Sequence, residues 1–387
     1  MRVVPLSDKD EKLVIGLMSG TSADGVDVAL VRIKGSYIET EMEELCFVSV
    51  PYEESVRAEL LRLAEGDKGG SAELMRMSFL LGELFLEAAK ALCASSGVSP
   101  GDIDLIGSHG HTVFHQPDAA PYLGRSIRGT MQIGDVSALS SYFSCPVVSD
   151  FRVRDFAEGG MGAPLVPYTE FILYSDPEED VAYQNLGGIG NITLLRAGAG
   201  PEEIVAFDTG PGNALLDALI GHYTGERYDE GGRLALEGRL SKPLQEFFLS
   251  DSYVARKPPK TTGREYYGKD YAGKILRIAE EGRVRAEDVL STTAWFTAYS
   301  IWKGLSFFPS FRPRRLIVSG GGSHNRAVMG YIEKLMADVE VIRNPSGDSK
   351  EAAAFAVLAN EAISGNFNCL TGATGARKPS VLGKIQF

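Results

Sequence analysis

The chain has 387 residues, a formal net charge of −12, and 44% hydrophobic against 23% charged residues. This balance is typical of a folded globular protein and excludes a disordered chain, and at about 150 residues per domain the length predicts two or three domains. Because an acidic chain without a basic stripe is a poor match for a phosphate backbone, we expect no nucleic-acid partner.

The spacing of the cysteines and the lack of long apolar stretches indicate in which cellular compartment the protein resides. Cys46, Cys93, Cys145 and Cys369 lie far apart and have no metal-ligand spacing, which favours a reduced, intracellular protein. Residues 1–13 lack the apolar core of a signal peptide, and no stretch of about 20 apolar residues follows. We therefore expect no membrane partner and a cytoplasmic localisation.

The first predicted element is a strand, turn and strand. Leu13–Met18 is apolar, residues 19–25 have turn chemistry, and Val26–Ile33 is rich in β-branched side chains. A similar unit follows about 170 residues later, with a strand at Val181–Leu186, a turn at Gly187–Asn191 and a strand at Ile192–Leu195. The recurrence predicts two similar lobes.

Helical patterns and short strands alternate between and after these units. Amphipathic helices are predicted at residues 71–96 and 288–308, and short strands at residues 103–106, 147–148 and 316–318. Alternation of this kind predicts an α/β fold. We expect a first lobe at residues 12–180 and a second at residues 181–369, with the tail 370–387 joining the first lobe.

Glycine is abundant and clustered. There are 44 glycines, above the usual share of roughly 7%, and they lie with Ser, Thr, Asn and Asp in GLMSGTSADGVD, NLGGIGN, DTGPGN and SGGGSHN. Glycine turns at strand ends leave backbone N–H groups uncovered, which suits an extended polar ligand such as a phosphate chain. No Walker A loop, protein-kinase catalytic loop or complete GxGxxG motif is present.

The first glycine turn has the groups of a phosphate cradle. Residues 20–27 supply backbone amides, the hydroxyls of Thr21 and Ser22, and the carboxylates of Asp24 and Asp27, which could position a metal. A plain β-hairpin turn is the alternative, since the Asp-Gly pair at 24–25 is common in such turns.

Asp208 is the candidate catalytic carboxylate. It ends an apolar strand and precedes a run of small residues that leave room for a substrate, so it could act as a base or a metal partner. The alternative is that Asp208 caps a helix beginning near Asn213.

The segment at residues 147–167 combines Arg152 and Asp155 with a glycine turn. A forked guanidinium beside carboxylates suits a sugar that bears an acid group, whereas Arg154 and Glu158 are better interpreted as a surface ion pair. His109 and His111 flank Gly110 in a spacing that does not favour zinc. Substrate contact or loop architecture is the preferred interpretation for these histidines.

Several motifs together resemble one known family. MSGTSADGVD, IGSHGHTVFHQP, NLGGIGNIT, FDTGPGN, PKTTGRE and SGGGSHN occur in the order seen in anhydro-N-acetylmuramic acid kinases, from about residue 14 onward. The resemblance implies two ribonuclease-H-like lobes of the actin-like ATPase superfamily, closing over ATP with the active site in the cleft between them. It also implies hydrolytic opening of 1,6-anhydro-N-acetylmuramic acid with phosphorylation of O6, giving N-acetylmuramic acid 6-phosphate and ADP in peptidoglycan recycling.

The resemblance implies roles for individual residues, with Asp208 as the catalytic base and Mg²⁺ neutralising the phosphates. The residues expected to bind ATP are Gly20, Thr21, Ser22, Ala23, Asp24, Gly25, Val26, Asp27, Gly187, Gly188, Asn191, Gly320, Gly321, Gly322 and Asn325. The residues expected to bind the sugar are His109, Arg152, Asp155 and Glu351. No metal ligand is assigned, and a homodimer is implied.

Two positions depart from the family pattern. His111 stands where the family usually has Gln, and Val136 stands where it usually has Pro. An imidazole can still hydrogen-bond a sugar, but it can also change the pH dependence.

Three other activities compete with this interpretation. One is an ATP-switched binding protein that closes its lobes without catalysis, and another is a different sugar kinase of the same superfamily. The third is a glycoside hydrolase that uses Asp208 and Glu351 without ATP, against which the nucleotide-type glycine turns argue.

Overall fold

The computed structural model describes residues 6, 9–65, 70–263, 265–344, 347 and 349–387. The strands are β1 (Glu11–Ser19), β2 (Gly25–Lys34), β3 (Glu41–Pro51), β4 (Leu105–Tyr122), β5 (Arg125–Ile133), β6 (Val147–Ser149), β7 (Val181–Leu186), β8 (Ile189–Leu195), β9 (Val205–Pro211), β10 (Arg315–Ser319), β11 (Glu340–Arg343) and β12 (Lys384–Gln386). The helices are α1 (Glu54–Ala64), α2 (Ser71–Ser96), α3 (Ser137–Phe143), α4 (Arg152–Ala157), α5 (Val166–Tyr174), α6 (Ala214–Thr224), α7 (Arg233–Glu237), α8 (Lys242–Leu249), α9 (Lys269–Glu281), α10 (Ala286–Leu305), α11 (Arg326–Leu335), α12 (Lys350–Ser364) and α13 (Thr371–Thr374).

The chain divides into two compact units. The first comprises residues 1–173 and 349–387, and the second comprises residues 174–348. These limits differ from the expected ones in two places. Residues 349–369 lie with the first unit rather than the second, because α12 contacts β1, β2 and β4, and residues 174–180 lie with the second unit rather than the first.

The sheet of the first unit has the order β12-β6-β4-β1-β2-β3, with β5 paired to β4. β2 is antiparallel to both β1 and β3, whereas β4 is parallel to β1 and β6 is parallel to β4. The tail returns to this unit, since β12 pairs antiparallel with β6.

The sheet of the second unit repeats this topology. Its order is β11-β10-β7-β8-β9, with β8 antiparallel to its two neighbours and with β10 parallel to both β7 and β11. In both units the first three strands form an antiparallel meander, and two later strands, β4 and β6 in the first unit and β10 and β11 in the second, join parallel to the first. This is the ribonuclease-H-like topology, so the α/β fold class and the two similar lobes are confirmed.

Individual elements agree with the sequence to different degrees. α2 occupies residues 71–96 and β7 occupies residues 181–186 as predicted. The second long helix, α10, begins and ends slightly earlier than predicted, and most of its side chains are buried. The predicted strand at residues 103–106 is instead the start of β4, which continues to Tyr122 and forms a long hairpin with β5.

Two helices cover opposite faces of the first sheet. Ile15 and Leu17 of β1 share an apolar core with α2. Side chains alternate between the faces of a strand, so Gly16 lies on the other face, under α12.

Gly16 of β1 pairs with Gly107 of β4 in the parallel register. At both glycines an added Cβ would fall on a backbone carbonyl of α12, that of Ala352 at Gly16 and that of Phe355 at Gly107. The helix backbone therefore rests directly on two neighbouring strands.

We expect Gly107→Ala to lower the free energy of unfolding by about 3 kcal/mol, because neither the strand nor the helix backbone can yield without repacking. The urea midpoint from far-ultraviolet circular dichroism measures this loss. Gly129→Ala in β5 is the matched control, since a Cβ there meets open space, and it should change stability by less than about 0.5 kcal/mol. Equal midpoints for the two variants would contradict the close packing.

Candidate functional site

The turn between β1 and β2 holds the first candidate phosphate site. The Ala23 N–H donates to the Gly20 carbonyl at 3.0 Å, which closes a tight turn, and Ala23 has φ +54°. Thr21 and Ser22 are exposed at its tip, and their backbone N–H groups have no hydrogen-bond acceptor in the described part of the chain. The turn thus presents two amides and two hydroxyls to a ligand.

Other residues of this motif have structural roles. Ala23 and Val26 are buried in the core of the first unit, so only their backbones could contact a ligand. Asp24 lies 3.5 Å from the guanidinium of Arg57. Gly25 lets β2 approach β3, because a Cβ there would fall on the Val50 carbonyl.

Arg152 and His109 form the centre of the candidate sugar site. Arg152 Nε donates to His109 Nε2 at 3.0 Å, and Arg152 Nη1 donates to the Gly162 carbonyl at 2.6 Å. His109 Nδ1 lies 3.0 Å from the Gly110 carbonyl, so Nδ1 carries the proton and Nε2 accepts. Burial, with the charge of Arg152 adding to it, lowers the pKa of His109 to about 3, and the ring is therefore neutral.

Asp155 organises the loop beside this pair. Its side chain is 0% exposed, and its two oxygens accept hydrogen bonds from the Gly162 N–H at 2.7 Å and from Thr374 Oγ1 at 2.7 Å. A Cβ at Gly160 would collide with the carboxylate. Asp155 therefore holds the glycine loop against the tail.

His111 belongs to a buried hydrogen-bond chain. Its Nδ1 shares a hydrogen bond of 2.9 Å with Ser19 Oγ, which shares another of 2.8 Å with the Tyr52 hydroxyl. Burial lowers the pKa of His111 to about 4 and raises the pKa of Tyr52 to about 12. Both groups are thus neutral at pH 7, and the chain links the end of β1 to β4.

Glu351 lies in the first turn of α12. Desolvation and the negative charge of Asp27 raise the pKa of its carboxyl, while Lys350 and Arg152 oppose the rise. Glu351, Asp27 and Arg152 are therefore close enough to interact electrostatically, as expected of residues in one site.

Glycine turns of the second unit converge at the ends of β7 and β10. The Asn213 N–H donates to the Gly187 carbonyl at 2.8 Å, and the Ala214 N–H donates to the Gly188 carbonyl at 3.0 Å. A Cβ at Gly322 would meet the Asn213 side chain at 3.0 Å. The predicted turns at residues 187–188 and 320–322 are thus neighbours, with Asn213 between them.

Two asparagines in these motifs differ in position from the expectation. The turn between β7 and β8 is limited to residues 187–188, so Asn191 lies within β8, where it pairs with Asp208 of β9. Asn325 is 8% exposed, and its side chain caps α11 by accepting from the N–H groups of Ala327 and Val328. The Asn325 side-chain oxygen is therefore used by the cap, and its contact with adenosine stays a prediction.

Asp208 is held by a segment distant in sequence. Its Oδ2 accepts from Thr261 Oγ1 at 2.7 Å and from the Thr262 N–H at 2.9 Å, whereas no donor of the described chain lies on Oδ1. Helix α6 begins at Ala214 with Asn213 at its N-cap. Asp208 is therefore not a helix cap, and one of its oxygens is open.

The sequence interpretation assigned no role to Thr261, Thr262 or Asn213. All three occur in motifs that were singled out, PKTTGRE and FDTGPGN. Asn213 has the one usable signal, since a polar residue after a glycine turn commonly begins a helix.

Among the described residues, no group of three or more His, Cys, Asp or Glu side chains could hold a metal ion. None of the helices described here combines the length and the apolar character needed to span a bilayer.

Comparison with known proteins gives a consistent result. Residues 12–387 match the family model described as anhydro-N-acetylmuramic acid kinase. A relative with that name from Caldanaerobacter subterraneus subsp. tengcongensis is 44% identical, covering 99% of this chain and 99% of its own. Relatives with the same name from Salinibacter ruber and Clostridioides difficile are 38% and 36% identical, covering 99% and 96% of this chain and 98% and 97% of their own.

The buried histidines predict a pH-dependent stability. The pKa of His111 is about 4 in the folded chain and about 6.5 when unfolded. The unfolded chain therefore binds a proton that the folded chain does not between these values, and stability falls as the pH drops through that window.

We expect His111→Gln, which can keep the bond to Ser19, to reduce the loss of unfolding free energy between pH 7 and pH 5 by about 2 kcal/mol. Denaturant titrations at several pH values measure it. His115→Gln is the control, since its ring is exposed and should have a smaller effect. Identical pH slopes for His111→Gln and the unchanged protein would refute the assignment.

Proposed function

Since the chain belongs to the anhydro-N-acetylmuramic acid kinase family and is thus a phosphotransferase that acts on a sugar hydroxyl with ATP, we propose that it couples ring opening to phosphorylation. Its substrate is 1,6-anhydro-N-acetylmuramic acid, and its products are N-acetylmuramic acid 6-phosphate and ADP. We place this reaction in the cytoplasm, in the recycling of peptidoglycan.

The hydrogen bonding of the Asp208 carboxylate is the observation on which the proposed mechanism rests. With Oδ2 occupied by Thr261 and Thr262, Oδ1 is left to accept a proton from water. The water oxygen bonds to the anomeric carbon as the bond from that carbon to O6 breaks. O6 then bonds to the γ-phosphorus, and the bond to the ADP oxygen breaks.

Three glycine turns are proposed to hold ATP. The uncovered amides and hydroxyls of Thr21 and Ser22 bind phosphate oxygens, and the turn at residues 187–188 supplies a second phosphate contact. The turn at residues 320–322 lies on the adenosine side. Glycine is needed at Gly320, where φ is +80° and a Cβ would meet the Leu186 carbonyl at 2.8 Å.

Arg152, His109 and Glu351 are proposed to bind the sugar. Nε and Nη1 of Arg152 are committed to His109 and Gly162, which orients the remaining Nη2 for the carboxylate of the lactyl group. Desolvation raises the pKa of Glu351, and its carboxyl oxygens are proposed to accept a hydrogen bond from a sugar hydroxyl. Asp155 contributes by fixing the loop.

Mg²⁺ is proposed to accompany ATP and to neutralise charge on the phosphates. Mg²⁺ usually keeps several waters and needs only one or two carboxylates besides phosphate oxygens, so the lack of a three-residue cluster among the described residues is compatible with it. Asp27, which follows the phosphate turn on β2, is the carboxylate that would hold it there.

The test of this function is ADP release from ATP and Mg²⁺, with and without 1,6-anhydro-N-acetylmuramic acid, in ¹⁸O-labelled water. We expect sugar-dependent ADP and one ¹⁸O at the anomeric position. ADP release with ordinary hexoses instead would indicate another sugar kinase, and ATP binding without sugar-dependent release would indicate a switch protein. Ring opening without ATP would indicate a hydrolase.

We expect Asp208→Asn to bind ATP normally and to lose turnover by at least about 10²-fold, the usual scale for a general base. Calorimetry and the coupled ADP assay measure the two quantities. Asp338→Asn, an exposed carboxylate of the same unit, is the control and should keep full activity. Turnover of Asp208→Asn near that of the unchanged enzyme would remove Asp208 from the mechanism.

The family resemblance also implies a homodimer, which we propose for this chain. The sedimentation coefficient of the purified protein distinguishes a dimer from a monomer.

A further inference from the structure

Lys260 is a buried lysine with no role in the mechanism above. It is 5% exposed, and its Nζ donates to the carbonyls of Tyr253 at 3.3 Å and Val254 at 3.4 Å. The ammonium also faces aromatic rings, with centroids 4.7 Å away at Tyr253 and 5.8 Å away at Phe307. A lysine is seldom buried without such compensation.

The two carbonyls belong to a turn that is itself fixed. Asp251 accepts from the Val254 N–H at 2.8 Å, and it also accepts from the hydroxyls of Tyr267 at 3.0 Å and Tyr271 at 2.8 Å. Charge-assisted bonds of this kind are stronger than neutral ones. The turn at residues 251–254 is thus a firm anchor for the ammonium.

The backbone of Lys260 leads directly to the candidate base. The Asp208 N–H donates to the Lys260 carbonyl at 3.3 Å, and the next two residues hold Asp208 Oδ2. On the other side, the Tyr253 hydroxyl donates to the Asp208 carbonyl at 2.8 Å. The side chain and the backbone of Lys260 therefore join the anchored turn to the carboxylate.

We propose that Lys260 is a positioning residue: its buried ammonium fixes residues 260–262 across Asp208, so that Oδ2 is held and Oδ1 is presented to the attacking water. This inference rests on the proposed function, because it assumes that Asp208 is the base. It assigns to the lysine of the PKTTGRE motif a role through Asp208 rather than a contact with ATP or sugar.

The electrostatics of Lys260 support this role. Desolvation lowers its pKa to about 8, with Asp251 and Asp208 opposing the decrease, so the ammonium is charged at pH 7.

The experiment compares Lys260→Met with the unchanged enzyme. Methionine keeps an unbranched apolar side chain and removes the donors and the charge. Misplacement of a catalytic group by a fraction of an ångström to an ångström costs roughly 10- to 100-fold in rate. We expect kcat to fall by about that factor, and KM for ATP and for the sugar to stay within about twofold.

Lys303→Met is the matched control. Its ammonium also lies over the Phe307 ring, at 5.1 Å, and it repels the Lys260 charge, but in the described part of the chain it donates no hydrogen bond to residues 260–262. It should leave kcat unchanged.

Double substitution tests whether Lys260 acts through Asp208. If it does, Asp208→Asn with Lys260→Met should be no slower than Asp208→Asn alone. Additive losses would overturn the proposal. So would Lys260→Met with normal kcat, and in that case an inactive Asp208→Asn would leave the proposed function standing.

Other variants keep the test decisive if Lys260→Met is unstable. Lys260→Gln retains a donor and should lose less kcat than Lys260→Met. If Lys260→Met and Lys260→Gln both fail to fold, Lys260 is a structural core residue and the proposal is overturned. Thr261 is exposed, so both substitutions there should be tolerated. Thr261→Val removes the hydroxyl and should lower kcat, whereas Thr261→Ser keeps the hydroxyl and should have a kcat near that of the unchanged enzyme. Equal kcat for Thr261→Val and Thr261→Ser would refute the role of the segment.

Discussion

The site of the first unit depends on the approach of the α12 backbone to β1 and β4. Side chains at Gly16 and Gly107 would separate these elements, since both positions lie directly under carbonyls of the helix. The contact places Phe355 against the His109 ring, with centroids 4.8 Å apart, and against Phe151 at 5.4 Å. It also sets the position of Glu351, one helical turn earlier. The absence of a side chain at Gly16 and Gly107 thus determines where several polar residues can lie.

The two units use the same topology in different ways. In each, a glycine turn joins the first two strands, at Gly20 in the first unit and at Gly187 and Gly188 in the second. The second unit adds an irregular segment at residues 250–263 that contacts β9 and holds Asp208. The repeated topology therefore provides the glycine turns, and a segment outside the repeated strands holds the carboxylate.

The sequence predicted elements with strong local signals. The strand, turn and strand units and α2 follow from periodicity and turn chemistry within a few residues. The predicted length of β4 is too short because its glycines, histidines and prolines are typical of a loop. Pairing with β5 overrides these local preferences.

Long-range contacts of the site were beyond such reasoning. Thr261 and Asp208 are 53 residues apart, and the Thr262 donor is a backbone N–H that any residue could supply. Asp155 and Asn325 show the converse difficulty. A buried carboxylate that holds a loop and an amide that caps a helix use the same residue types as ligand contacts, and only burial and partners distinguish them.

The division of the first unit into residues 1–173 and 349–387 has a consequence for biosynthesis. Its sheet can form early, but α12 and β12 leave the ribosome only after the whole second unit has been made. Until then, the face of β1 and β4 around Gly16 and Gly107 lacks its helix and exposes apolar strand surface. Domains tend to fold as they emerge, so the second unit can reach its native state first, and the N-terminal sheet must avoid aggregation during that delay. Closure of the first unit by α12 is therefore the step that ends the vulnerable period of this chain.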